Sequence, residues 1–207
     1  YLNAPVYIEI NKKEVTTQLI DHLYYKVNPD SKPELLRKVT TIMNADSCII
    51  FCRTQEQVNQ LFDTLVKWDY SCGKIHGGMY QEDRFDVMNQ FKRGEFRYLV
   101  ATDVAARGID IENITHVINY DFPVEKEAYV HRTGRTGRAG HKGVAISFVS
   151  SKDEELLRET EEYVGFSLQV KEAPTDTEVE KSREAFESKM FATEMKEDRS
   201  ADLNSRI

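Results

Sequence analysis

Short apolar runs alternate with amphipathic segments along this chain from residue 20 to about residue 172. Runs rich in Ile, Val, Leu and Phe are typical of buried strands, and apolar residues spaced three and four apart are typical of helices. The pattern predicts strands at 20–27, 48–52, 74–75, 98–102, 116–120, 143–149 and 166–170. Helices are expected after 31, after 54, at 81–91, at 125–132 and from 151 to 165. This alternation predicts an α/β fold, in which a mainly parallel sheet carries helices on both faces.

Three segments carry the signature of a helix start. Ser31 stands three residues before Glu34, and Thr54 stands three residues before Gln57. This spacing is that of a capping box, in which two side chains bond reciprocally to free backbone amides. The segment 151–154 is expected to cap a third helix.

The composition divides the chain into three regions. We expect residues 1–14 to form an N-terminal segment or interdomain linker and residues 15–173 to form one domain. Acidic residues outnumber basic ones nine to six from residue 174 onward, where large apolar residues are few. Residues 174–207 are therefore expected to form a charged linker or a partly helical extension. The chain begins without Met, which is typical of a piece of a longer protein.

The bulk composition excludes some classes of protein. With 40% hydrophobic and 30% charged residues, the chain is not expected to be disordered. No apolar run approaches the roughly 20 residues that span a membrane. The odd set of three cysteines (Cys48, Cys52 and Cys72) favours free thiols in a reducing cytoplasm. The histidines show no metal-ligand spacing, so no metal site is predicted.

The net charge of −7 argues against a protein that coats nucleic acid by bulk electrostatics. One local segment is nevertheless strongly basic. Arg132, Arg135 and Arg138 recur every third residue, with glycines at the same spacing. A guanidinium presents a planar fork to phosphate oxygens, and glycine lets a phosphate approach the backbone closely. Alone, the segment fits a phosphate site or a solvated basic turn equally well.

Other segments supply a context for these arginines. Residues 101–110 (ATDVAARGID) directly follow an apolar strand, where parallel sheets bind ligands. Together with residues 131–140 they resemble motifs V and VI of the DEAD-box RNA helicases, and residues 47–54 resemble motif IV. The motifs follow one another, across roughly residues 15–172, as in the C-terminal RecA-like domain of that family.

A further motif lies between these segments. His76-Gly77-Gly78, with Gln81 and Arg84, resembles motif IVa of the same family. The run 75–88 resembles in particular the bacterial helicases of the DbpA and YxiN type. That likeness implies a role in assembly of the large ribosomal subunit, with 23S ribosomal RNA bound through a further C-terminal domain.

The resemblance implies an ATP side. Arg135 and Arg138 would be arginine fingers that reach the γ-phosphate of ATP and stabilise the charge that develops during phosphoryl transfer. His131 would couple this domain to an N-terminal RecA-like partner domain, and Arg132 would support the same network. Asp110 would bind the ribose.

Two residues beside that acid complete the implied nucleotide site. Arg107 and Gly108 would shape the loop that presents Asp110 to the ribose. The chain contains no phosphate-binding Gly-x-x-x-x-Gly-Lys-[Ser/Thr] loop and no Asp-Glu-Ala-Asp. The cofactor would therefore be ATP with Mg²⁺ held by the N-terminal domain, and the chain alone is expected to be inactive as an ATPase.

The resemblance also implies a sequence-independent RNA side. Its residues carry hydroxyls, backbone amides and guanidinium groups that suit phosphates and 2′-hydroxyls: Thr54, Gly77, Gly78, Gln81, Arg84, Thr102 and Asp103. Asp103 is the exception, since an acid repels phosphate. It fits either a bond from a 2′-hydroxyl or a brace for its own loop. Arg53 fits either an RNA contact or a local salt bridge.

Two other functions fit the same residues. The chain could be a stand-alone, non-catalytic RNA-binding module, although arginine fingers have no use in such a protein. It could also belong to a superfamily-2 helicase that acts on DNA. The wording of motifs V and VI favours the RNA helicases.

Overall fold

The computed structural model describes residues 19–107, 114–138 and 140–204, with side chains described through Met190. The expectations for residues 1–14, for Gly108 and for Asp110 lie outside these residues.

Seven strands form one sheet in the order β3-β4-β2-β5-β6-β1-β7. Every pairing among the described strands is parallel, which confirms the expected sheet. The strands are β1 (Ile20–Lys26), β2 (Cys48–Phe51), β3 (Cys72–Ile75), β4 (Tyr98–Ala101), β5 (His116–Asn119), β6 (Gly143–Val149) and β7 (Gln169–Lys171).

Helices connect the strands and cover both faces of the sheet. They are α1 (Lys32–Met43), α2 (Gln55–Lys67), α3 (Gln81–Lys92), α4 (Asp103–Ala106), α5 (Lys126–Thr133), α6 (Glu154–Val164) and α7 (Asp176–Asn204). Apolar residues of α1 and α2 pack in one core cluster, and those of α3 and α4 pack in a second. A third cluster joins α5 to α6. The α/β fold with helices on both faces is confirmed.

The central strand β2 shows why the chain folds into three layers. All four of its side chains are buried, because both of its faces are covered. Cys48 and Ile50 pack with α1 and α2, whereas Ile49 and Phe51 pack with α3 and α4. This alternation follows from the period of two along a strand. A continuous apolar run is therefore typical of an interior parallel strand.

The helix starts follow the expected signatures only in part. The Thr54 hydroxyl accepts from the Gln57 backbone amide at 3.2 Å, and the Gln57 side chain accepts from the Thr54 amide, so this capping box is confirmed. The box expected at Ser31 is wrong, because Ser31 closes a 3₁₀ turn and makes no side-chain cap bond. Ser150, one residue earlier than expected, forms a capping box with Asp153.

The last helix is the charged extension that the composition predicts. It runs as one helix over Asp176–Asn204 and lies against α1. Lys38 of α1 pairs with Asp176 at 2.9 Å, and the Ser182 hydroxyl donates to the Thr41 carbonyl at 3.4 Å. A partly helical, charged extension is confirmed. None of the described helices is both long enough and apolar enough to cross a membrane.

The pH dependence of stability offers a test of the packing between β1, α5 and the segment that joins α6 to β7. His22 lies 4.7 Å from the Phe166 ring, between centroids, and its Nδ1 is 2.7 Å from the Tyr129 hydroxyl. Burial lowers the pKa of His22 to about 4, with a small opposing effect from Asp21. The unfolded chain therefore binds an extra proton between about pH 6.5 and pH 4.

We predict that this histidine stabilises the fold fully above pH 6.5 and that its contribution, roughly 2–3 kcal/mol, is lost as the pH falls towards 4. His22→Phe should remove that part of the pH dependence of the unfolding free energy, measured by denaturant titration at several pH values. His141→Gln, at an exposed site, is the control and should leave the dependence intact. An unchanged dependence in His22→Phe would contradict the prediction.

Candidate functional site

The loops that carry the sequence motifs meet at one edge of the sheet. Because the strands are parallel, the carboxyl ends of β2, β3, β4 and β5 all point to the same side. We call this edge, formed by residues 52–54, 76–80, 102–107 and 120–125, the carboxyl edge. Motif VI reaches it through α5, which follows the loop after β5.

A buried arginine ties several of these loops together. Arg132 is 3% exposed, and its Nε and Nη2 donate to the two carboxylate oxygens of Asp103 at 2.6 Å each. Its Nη1 donates to the Asn119 side chain at 3.1 Å and to the Asp121 carbonyl at 2.8 Å. The guanidinium carbon lies 5.1 Å from the centre of the Phe51 ring. Charge-assisted, bidentate bonds of this kind are the strongest that a side-chain pair makes.

This arrangement brings together two residues that the sequence analysis placed on different sides. Asp103 was expected near RNA, and Arg132 near the nucleotide. In the fold they pair with each other, and the guanidinium makes four hydrogen bonds to protein acceptors. The pairing with Arg132 supports the bracing alternative for Asp103, and its contact with RNA stays a prediction.

The groove beside this pair gathers residues from motifs V and VI. Arg107, His131 and Arg135 lie on the wall of this shallow groove. Arg138 lies outside this lining, and its Nε donates to the Gly134 carbonyl at 2.7 Å. The groove therefore brings four of the residues expected near ATP to one place, since Arg132 lines it as well, and Arg138 lies three residues beyond Arg135.

The two residues between Arg135 and Arg138 are buried. The Thr136 hydroxyl lies 2.6 Å from the Ile114 carbonyl, to which it donates. Gly137 has a φ of +66°, and a Cβ added there would lie 2.5 Å from the Ile20 side chain. The position requires glycine for both its conformation and its close contact. The backbone between the two arginines is thus held against the sheet.

The residues expected on the RNA side lie at the other end of the carboxyl edge. Thr54, Gly77, Gly78 and Gln81 are exposed, at the first turns of α2 and α3 and in the loop between β3 and α3. Arg84 donates to the Gln81 side chain at 3.2 Å, and its buried Nε finds no acceptor among the described residues.

Thr102 differs from the other residues of this set. It is 7% exposed and precedes α4 at the N-cap position without a side-chain cap bond, and its backbone amide donates to the Ile75 carbonyl. The fold therefore brings five of the seven predicted RNA-side residues to one surface, with Thr102 and Asp103 behind it.

The sequence analysis missed an ion cluster next to motif IV. Asp121 accepts from Lys32 at 3.0 Å and from the backbone amide of Arg53 at 2.9 Å. The Arg53 side chain donates to the Phe122 carbonyl at 3.1 Å and lies 3.7 Å from Asp153. Arg53 is thus in the local salt bridge that was one of its two open alternatives. The position of Asp121 directly after a strand was the signal available in the sequence.

The side chains at this edge offer nitrogen donors, hydroxyls and a few carboxylates. Among the residues that the structure describes, no three His, Cys, Asp or Glu side chains converge on one point. The chemistry available at the edge is that of guanidinium groups, hydroxyls and backbone amides, which suits oxyanions and sugar hydroxyls.

The buried pair makes a testable contribution to stability. Arg132→Met should destabilise the domain by about 3 kcal/mol, because it leaves Asp103, Asn119 and a carbonyl without their donor. Arg158→Met, which removes an exposed partner of Glu155, is the matched control and should cost less than about 0.5 kcal/mol. Equal, small losses in denaturant unfolding would show that the buried network is not stabilising.

Comparison with known proteins agrees with this geometry. Residues 31–140 match the helicase conserved C-terminal domain family. The ATP-dependent RNA helicase DbpA of Bacillus subtilis is 57% identical over 208 residues, which cover 100% of this chain and 43% of that protein. The chain thus spans less than half the length of this relative.

Two solved structures share the fold. The Escherichia coli DEAD-box protein SrmB, bound to regulator of ribonuclease activity A, is 36% identical with a TM-score of 0.71, covering 77% of this chain and 93% of that one. Saccharomyces cerevisiae Dbp5, bound to RNA and ADP BeF3, is 34% identical with a TM-score of 0.70, covering 80% of this chain and 46% of that one. The chain therefore belongs to the helicase conserved C-terminal domain family, as the C-terminal RecA-like domain of a DEAD-box protein.

Proposed function

We propose that this chain is the C-terminal half of an ATP-dependent RNA helicase and unwinds short duplexes locally together with an N-terminal RecA-like domain. The observation that carries the proposal is the groove that unites Arg107 with His131 and Arg135 beside a buried Arg132–Asp103 brace. Guanidinium groups held at the open edge of a sheet suit a phosphate presented by a second domain.

The ATP side consists of motif VI and the end of motif V. Arg135 and Arg138 serve as arginine fingers, and the buried Thr136 and Gly137 between them keep their spacing constant. His131, exposed on the groove wall, contacts the partner domain. Asp110 and Gly108, outside the described residues, keep their proposed roles at the ribose.

The nucleotide itself is held mainly by the other half. ATP and Mg²⁺ would bind to the N-terminal domain, which supplies the phosphate-binding loop. The present chain contains no such loop. The C-terminal half then supplies positive charge where negative charge develops on the phosphoryl group. Arg107 shapes the wall of the same groove, and Arg132 acts from behind it.

The finger role predicts a specific kinetic change in the protein that contains both halves. Arg138→Ala should lower the rate of RNA-stimulated ATP hydrolysis by roughly 10³-fold or more, because a finger stabilises the transition state. The affinity for ATP should change far less. Arg158→Ala is the control and should turn over ATP normally. Unchanged turnover in Arg138→Ala would exclude the finger role.

The RNA side is the surface formed by Thr54, Gly77, Gly78, Gln81 and Arg84. Hydroxyls, glycine amides and a guanidinium bind phosphates and 2′-hydroxyls without reading bases. Thr102 and Asp103 support this surface from beneath through the start of α4. The similarity to a Dbp5 structure that contains RNA supports the proposal.

Salt dependence separates a phosphate contact from a structural effect. Arg84→Ala should weaken binding of single-stranded RNA about equally for all sequences and reduce the slope of log affinity against log salt by about 0.7. Arg93→Ala, at the other end of the same helix and paired with Glu95, is the matched control. An unaltered salt slope in Arg84→Ala would remove this residue from the RNA side.

The cellular role rests on likeness to one relative. The resemblance of residues 75–88 implies a role in large-subunit ribosome assembly, with 23S ribosomal RNA reached through a further domain, and the 57% identity to the RNA helicase DbpA supports that resemblance. The free cysteines support a reducing, cytoplasmic location. We also propose the domain division 15–173 and 174–207, since β7 ends at Lys171 and α7 begins at Asp176.

A further inference from the structure

His76 lies beneath the loop that carries Gly77 and Gly78. It is 8% exposed, whereas both glycines are exposed. Its Nδ1 lies 3.2 Å from the backbone nitrogen of Gly78, and its Nε2 lies 3.2 Å from Oδ1 of Asn59 on α2. The ring therefore bridges the loop and the helix that follows motif IV.

The bonds of this ring define its protonation state. A backbone N–H can only donate, so Nδ1 must accept from Gly78 and carry no proton. Nε2 then carries the proton and donates to Asn59. Lys74 donates to the same Asn59 oxygen at 2.6 Å. Because an ammonium can only donate, this contact fixes the orientation of the Asn59 side-chain amide, with its oxygen towards Lys74 and His76. The neutral, Nε2-protonated imidazole satisfies all of these contacts.

The helix holds the loop at a second point. Gln55 precedes Asn59 by four residues, so both side chains lie on one face of α2. A Cβ added to Gly77 would lie 3.3 Å from the Gln55 amide nitrogen, and one added to Gly78 would lie 2.6 Å from its oxygen. The helix that begins after Thr54 thus packs directly on the two glycines.

We propose that His76 and Asn59 are positioning residues that hold the Gly77–Gly78 loop at a set distance from Thr54, and that protonation of His76 releases the loop and weakens RNA binding. The proposal rests on the RNA side assigned above. Its physical basis is that donors on neighbouring loops can grip successive phosphates only at a matching spacing. An imidazolium carries a proton on Nδ1, which would face the Gly78 N–H and remove their bond.

The surroundings of the ring favour its neutral form at pH 7. Burial lowers the pKa of His76, and the Lys74 ammonium on the same strand lowers it further. Among the described residues that face the ring, α2 contributes the uncharged Gln55 and Asn59. The loop is therefore held at neutral pH, and release requires a pH below the ordinary value of about 6.5 for histidine.

The test uses the full-length protein with both RecA-like halves and a single-stranded RNA, with affinity measured by fluorescence anisotropy from pH 5 to pH 8. The wild-type protein should lose affinity roughly threefold to tenfold in acid, the value of one hydrogen bond to the loop. His76→Asn should bind like the wild type at pH 7.5, because its Oδ1 can accept from Gly78, and should lack the acid loss. His141→Asn is the exposed control and should keep it.

Two further variants separate positioning from general structure. Asn59→Asp places a carboxylate beside Nε2, which favours the imidazolium, so the loss of affinity should move to higher pH. His76→Phe should raise the RNA concentration needed for half-maximal ATPase stimulation severalfold, while the rate at saturating RNA stays close to that of the wild type. A structural defect alone would also lower the rate at saturating RNA.

The outcomes distinguish failure of the role of His76 from failure of the proposed RNA side. If Arg84→Ala weakens RNA binding but His76→Asn keeps the full acid loss, the RNA side stands and release of the loop by protonation of His76 is overturned. If His76→Phe leaves the RNA concentration for half-maximal stimulation unchanged, the positioning role is overturned. If Asn59→Asp leaves the pH profile in place, the role of Asn59 is overturned. If Arg84→Ala and Thr54→Val both bind RNA normally, the RNA side fails, and the positioning role fails with it.

Discussion

The desolvated guanidinium of Arg132 is the constraint on which the carboxyl edge depends. A charge that is 3% exposed is tolerated only when its donors find acceptors, and here four bonds provide them. The acceptors come from Asp103 after β4 and from Asn119 and Asp121 at the end of β5. The four bonds to Arg132 therefore fix the positions of motif V, β5 and motif VI relative to one another. The shape of the groove lined by Arg107 and Arg135 follows from these positions.

The same logic of buried contacts extends to the segment between the proposed fingers. Thr136 is fully buried and donates to the backbone before β5, and Gly137 packs on β1 with a conformation that other residues resist. Two arginines three residues apart would otherwise sample many orientations, and ordering them in the transition state would cost entropy. Because the residues between them are buried, the backbone that carries the two arginines is already ordered in the folded domain, and the entropy lost in the transition state is smaller.

Local patterns predicted the fold well, because burial on both faces makes every interior strand a continuous apolar run. The predicted strands all occur, and the capping box at Thr54 forms. The box at Ser31 does not form, because a 3₁₀ turn at Pro29–Ser31 precedes the helix. Pairs such as Lys32–Asp121 and Arg132–Asp103 could not be predicted, since they join residues 89 and 29 apart whose proximity depends on strand order. The motif resemblance indicated which residues lie at the carboxyl edge, but it did not indicate which of their side chains point into the protein.

Charge distribution explains how a chain with a net charge of −7 can offer a surface to RNA. Five of the eleven residues of α6 are Glu, and acids also lie at the carboxyl edge, with Glu82 and Asp83 in the first turn of α3. At physiological salt the Debye length is about 8 Å, so acids farther than this from Arg84 or Arg135 act weakly on a phosphate at either residue. They do repel RNA from their own surfaces. Binding of RNA at the proposed surface therefore depends on local contacts with particular guanidinium groups and backbone amides, and the net charge of the whole chain has little influence on it.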